Sequence, residues 1–91
     1  MSVTVKVPTP LRRLTNNQRE VNVNATNIQG VIEGLEEQFP GIRERLCDES
    51  GEIRQFINFF VDGEDIRFRD GLATEIKDGD AVSIVPAAAG G

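Results

Sequence analysis

The chain has 91 residues, 38% hydrophobic and 27% charged, which is room for one small domain and too little for an enclosed cofactor cavity. It contains no histidine and a single cysteine, which excludes Ser-His-Asp, Cys-His and His-metal chemistry and a closed zinc shell. Fifteen acids against ten bases give a net charge of −5, the wrong sign for a nucleic-acid or anionic-membrane binder.

Val3, Val5 and Val7 alternate with Thr4 and Lys6, the period-two pattern of a strand with one buried face, and Pro8 and Pro10 end it. Arg12 and Arg13, the only adjacent bases, read as a solvated edge and not as a phosphate site. Thr15-Asn16-Asn17-Gln18 is turn chemistry, and Glu20–Asn24 alternates again, so the first two strands are expected to pair as an antiparallel hairpin with a loose loop. Thr26 with Gln29 reads as a capping box. Ile28, Val31, Ile32, Leu35 and Phe39 follow at helical spacing, predicting a helix over about 27–38 that Pro40-Gly41 stops. Gly30 and Gly34 inside that helix each cost roughly 1 kcal/mol against Ala, and a close approach to a sheet would explain them.

Ile42 and Leu46 suggest one further helical turn, and Asp48–Glu52 is a polar loop. Phe56–Val61 is the most strand-like stretch; Asp62-Gly63 favours a tight hairpin, and Ile66–Phe68 reads as a short returning strand. A second Asp-Gly turn at Asp78-Gly79 leads to a last strand, Ala81–Val85, closed by Pro86. This order predicts an α+β chain of the β-grasp (ubiquitin-like) type, a mixed four- to five-stranded sheet with one main helix packed on one face. The domain is expected to span 1–86, with 87–91 a flexible Ala/Gly tail.

Two features rise above an ordinary small domain. The tail, Ala87 to Gly91, has no side chain larger than methyl and ends in Gly90-Gly91, so its one reactive group is the Gly91 carboxylate. With Ala88, Ala89 and Gly90 it is narrow enough to thread into a partner's channel, where the carboxylate can be activated as an acyl-adenylate. The second feature is strand parity: if Ile57, Phe59, Val61, Val82 and Ile84 face the helix, Phe56, Phe60 and Val85 face outward as a docking surface. Cys47 has no His or Lys beside it to lower its thiol pKa, and Asp48 and Glu49 would raise it, so it reads as passive. Asp62, Glu64 and Asp65 lack the full calcium-loop spacing and read as a solvated turn, not as a metal site. With no leader-like N-terminus and no apolar run of about 20 residues, a cytoplasmic chain is expected.

These residues resemble the MoaD/ThiS family of ubiquitin-like sulfur carriers over essentially the whole chain. The likeness is densest at Ile57–Phe68, at Gly71-Leu72-Ala73-Thr74 with Asp78-Gly79-Asp80, and at Val85–Gly91. Val7-Pro8-Thr9, Leu11-Arg12 and Asp65–Phe68 place it nearest the branch that supplies sulfur for cysteine synthesis. The resemblance implies a carrier and not an enzyme: a MoeB/ThiF-type adenylyltransferase uses ATP and magnesium to adenylate Gly91, and a sulfur donor converts the adenylate to a thiocarboxylate. It also implies a PLP-dependent cysteine synthase as acceptor partner and a JAMM-type metallopeptidase that releases cysteine. The carrier itself is expected to bind no cofactor or metal, no nucleic acid and no membrane, and to be a monomer when free. Two other readings share the same tail: the small subunit of molybdopterin synthase, and a ubiquitin-like modifier conjugated through Gly91. Val85 precedes a single proline, where molybdopterin-synthase small subunits commonly have two.

Overall fold

The structure is a computed structural model that describes residues 2–86; Met1 and the 87–91 tail lie outside the described residues. Five strands form one mixed sheet: β1 (Ser2–Lys6), β2 (Glu20–Asn24), β3 (Ile57–Val61), β4 (Glu64–Asp65) and β5 (Ala81–Pro86). Two α-helices, α1 (Ile28–Gln38) and α2 (Ile42–Leu46), lie between β2 and β3. The strand order is β2-β1-β5-β3-β4. β1 pairs antiparallel with β2 and parallel with β5, while β3 runs antiparallel to both β5 and β4. This is the β-grasp arrangement expected from the element order, with α1 laid across one face of the sheet.

The valine alternation sets the register. Val3 lies opposite Val23 and Val5 opposite Val21, so one face of the first hairpin is wholly apolar and buried. Onto it α1 lays Ile28, Val31, Ile32 and Leu35, each at most 1% exposed, while Phe59, Val82 and Ile84 fill the other half of the same core. Phe59 is the largest fully buried side chain, and its truncation to Ala is worth about 3–5 kcal/mol. The two helix glycines fit the expectation of a close approach. A Cβ on Gly30 would stand 3.1 Å from Ala25 Cβ, and one on Gly34 would stand 3.2 Å from Val23 Cβ, so α1 sits on the rim of β2 so closely that a methyl at either position would force its neighbour to give by a few tenths of an ångström.

Three local expectations are corrected. The α1 cap is Asn27, whose Oδ1 accepts from Gly30 N at 2.8 Å, and not Thr26; Gln29 turns instead to Glu33. The first helical N–H, at Ile28, donates to the Thr74 carbonyl, so the loop before β5 closes the helix start in place of a reciprocal box. Ile66–Phe68 is a 3₁₀ turn and the returning strand is only Glu64–Asp65, because the Asp65 carboxylate accepts from Arg67 N at 2.9 Å and curls the chain before pairing can extend. Finally, Thr9–Leu14 is a 3₁₀ segment, so the β1–β2 connection is a structured turn and not a loose loop. The Asp62-Gly63 turn is as expected, with both residues at positive φ, 50° and 89°.

Candidate docking face and tail

β5 occupies the middle of the sheet and runs out at Pro86, which pairs with Ile57 of β3. The tail residues that carry the expected chemistry, Ala88, Ala89, Gly90 and Gly91, lie outside the described residues. The structure places the residue before them: Pro86 ends β5 opposite the buried Ile57 of β3, and strand alternation puts it with Val82 and Ile84 on the α1 side of the sheet.

On the face opposite α1 the register brings Phe60 opposite Ser83 and Val85 opposite Asn58, so Phe60 and Val85 are diagonal neighbours. Val85 is 41% exposed and Phe60 half-buried. The β1–β2 half of the face is polar, with Thr4 Oγ1 donating to Asn22 Oδ1 at 3.2 Å. The face is thus divided, apolar around Phe60 and Val85 beside the end of β5 and hydrophilic toward β2. Asn58 Oδ1 is buried with no hydrogen-bond partner among the described residues, an unsatisfied acceptor directly across from Val85.

Phe56 is exposed, as expected, but it does not join this patch. It precedes β3 in a turn, where strand parity no longer applies, and it lines a separate hollow with Pro10, Leu14 and Pro86. A further exposed aromatic escaped the strand reading: Phe68, in the 3₁₀ turn, is 84% exposed. Expecting a strand at Ile66–Phe68 hid it, since Ile66 alone of that turn is buried.

The side chains weighed for other chemistry have structural surroundings. Burial pushes the Cys47 thiol up; Asp48 adds to the rise, and Arg43 and Arg54 oppose it. Its residue is 4% exposed, so the thiol is neither accessible nor activated. Asp62 accepts from Ala81 N at 3.0 Å, and that bond holds its carboxyl below the ordinary range. Asp65 is engaged by Arg67, whose guanidinium donates to it at 2.9 Å. Among the described residues no group of three His, Cys, Asp or Glu is placed to hold a metal. Arg12 Nε donates to the Val7 carbonyl at 3.1 Å, so Arg12 braces the β1–β2 connection, while Arg13 is exposed. Among the described residues no helix is long and apolar enough to cross a membrane.

Comparison with known proteins joins the fold to the tail. The model of the ThiS family matches residues 5–91, through the final Gly-Gly. The sulfur carrier protein CysO of Mycobacterium tuberculosis is 48% identical over 93 residues, covering all of both chains. Among solved structures, the Amycolatopsis orientalis BexX/CysO complex has a chain 42% identical, with a TM-score of 0.92 over 98% of this chain and 99% of that one. The crystal structure of Mycobacterium tuberculosis CysO is 46% identical, with a TM-score of 0.90 over 94% and 99%. With a β-grasp sheet, a central β5 that ends at the tail and a match across nearly its whole length, the chain belongs to the ThiS family.

Proposed function

We propose that this protein is a sulfur carrier whose Gly91 carboxylate is adenylated and then converted to a thiocarboxylate, which donates sulfur in the synthesis of cysteine. The observation that carries the reading is the full-length 48% identity to CysO together with a family match that runs through Gly91. Chemistry supports it from the other side. A carboxylate is a poor electrophile until joined to a good leaving group: attack on ATP forms the acyl-adenylate and releases pyrophosphate, and a sulfide-level donor then displaces AMP to leave the thiocarboxylate. The activating enzyme supplies the magnesium and positive charge for that step. A domain without histidine, with a buried thiol and without a metal-binding cluster among its described residues serves as co-substrate.

In this reading the carrier acts in the cytoplasm as a free monomer. A MoeB/ThiF-type adenylyltransferase and a PLP-dependent cysteine synthase take the tail in turn, a JAMM-type metallopeptidase releases the product, and Phe60 and Val85 form the surface they dock on. The test is intact-mass measurement after incubation with the activating enzyme, ATP, magnesium and a sulfur donor. One oxygen replaced by sulfur at the C-terminus is expected, and a chain lacking Gly90 and Gly91 should stay unchanged. An unchanged wild-type mass would overturn the reading.

A further inference from the structure

The hollow that holds Phe56 lies between the Thr9–Leu14 segment, α2 and the start of β3, and has a volume of about 410 Å³. Its apolar lining is the buried Leu11 and Ile57 with Pro10, Leu14, Phe56 and Pro86. Its charged lining is mostly basic, with Arg13, Arg45 and Arg54 against the single carboxylate of Glu44. None of the three arginines forms an ion pair among the described residues, although Arg54 Nε donates to the Glu44 carbonyl at 2.9 Å. Arg13 also borders a neighbouring hollow lined by Arg12 and Arg19. Half of the chain's ten basic residues therefore gather around one end of a protein whose net charge is −5.

Guanidinium groups without ion pairs beside apolar side chains, on an otherwise acidic molecule, are complementary to carboxylates interleaved with apolar side chains. Position narrows the occupant. Pro86, the last described residue, is part of the lining, so the hollow lies beside the start of the tail, and a protein that grips the tail is brought close to it. We infer that this groove receives an acidic, apolar-studded segment of the protein that activates the tail, and that the arginines steer and seat that segment. The inference rests on the proposed function for the identity of the partner. The groove's preference for acidic over basic chains stands apart from that identity.

Two measurements test it. In the first, the isotope-labelled full chain is titrated with a blocked peptide alternating glutamate with leucine, and with its lysine counterpart, while amide shifts are followed by NMR. Shifts confined to residues 10–14, 44–45 and 54–57 with the glutamate peptide alone, weakening as salt is added, are expected. Equal binding of the two peptides, or none, overturns the inference, as does loss of glutamate binding when residues 87–91 are removed. In the second, adenylation is measured with an enzyme that activates the wild-type chain. Arg13→Glu/Arg45→Glu should raise KM for the carrier about tenfold with kcat little changed, whereas Lys77→Glu should move neither. Adding Arg54→Glu should raise KM further. An unchanged KM in an amide spectrum that remains native overturns the inference. If the wild-type chain is not adenylated at all, the sulfur-carrier reading fails, and the peptide titration still decides the groove.

Discussion

The side-chain amide of Gln38, the last residue of α1, donates to the main-chain carbonyl of Asn22 at 3.0 Å. Because Val7 N donates to the Arg19 carbonyl, the alternation of the β1–β2 ladder turns the Asn22 carbonyl away from β1, toward the open edge of the sheet. Gln38 therefore occupies an acceptor that another strand would use. Replacing it by Ala should lower stability by about 0.5–1 kcal/mol in urea denaturation. It should also increase self-association at high concentration by light scattering. No change in either would show the bond to be incidental.

Gly34→Ala removes a helix-interior glycine, a change that alone would favour α1 by about 1 kcal/mol. Here the new methyl meets Val23 Cβ at 3.2 Å, an atom fixed directly to the strand backbone that cannot swing aside. Net destabilisation of about 1 kcal/mol is expected by thermal or urea unfolding. A more stable variant would mean that α1 can lift from β2 at little cost.

The α1 cap separates two neighbouring residues. Asn27→Ala should cost about 1 kcal/mol, since Gly30 N loses its acceptor. Thr26→Ala should cost much less, because Thr26 contributes its main-chain carbonyl, to Ile76 N, and not its exposed hydroxyl. Equal losses in unfolding experiments would restore the capping box that the Thr26-to-Gln29 spacing suggests.

Asp65 gives a pH signature. The Arg67 side chain, and then the Arg67 N–H, hold its carboxyl below the ordinary value of 3.8. A depressed folded-state pKa contributes stability that is complete above the unfolded value and is lost as pH falls through the folded one. The stability gap between wild type and Asp65→Asn should therefore narrow between about pH 5 and pH 2. Parallel curves across that window would place the acid sensitivity elsewhere.

Cys47→Ala tests whether sulfur ever passes through the side chain. The thiol is buried and its ionisation opposed by burial, so thiocarboxylate formation should proceed at the wild-type rate. Stability should fall by about 1 kcal/mol as a core position is emptied. Loss of sulfur loading in a variant that stays folded would give Cys47 a role the fold does not suggest.

Much of the fold was legible because its signals were local. The valine alternation of β1 and β2, the apolar spacing of α1 and the two Asp-Gly turns each depend on a few adjacent residues, and their order leads to the β-grasp. What escaped depends on tertiary partners. Thr26 and Asn27 are both good caps, and the choice between them follows from Thr74 closing the helix start from the far side of the chain. Ile66–Phe68 has strand composition, yet the carboxylate of Asp65 decides for a turn. Parity found Phe60 and Val85 but misplaced Phe56, because the strand begins one residue after it. The basic groove joins residues from four separate segments, and no window of sequence contains it.

The place of β5 has a mechanical meaning. A chain end drawn into another protein's channel is under tension, and a strand at the sheet edge would peel away one hydrogen bond at a time. β5 is gripped on one side by β1 and on the other by β3. A pull on residue 87 along the strand loads both ladders together, in shear, and their bonds must yield collectively. In the proposed carrier role, a partner that draws on the tail would therefore leave the domain behind it holding its shape.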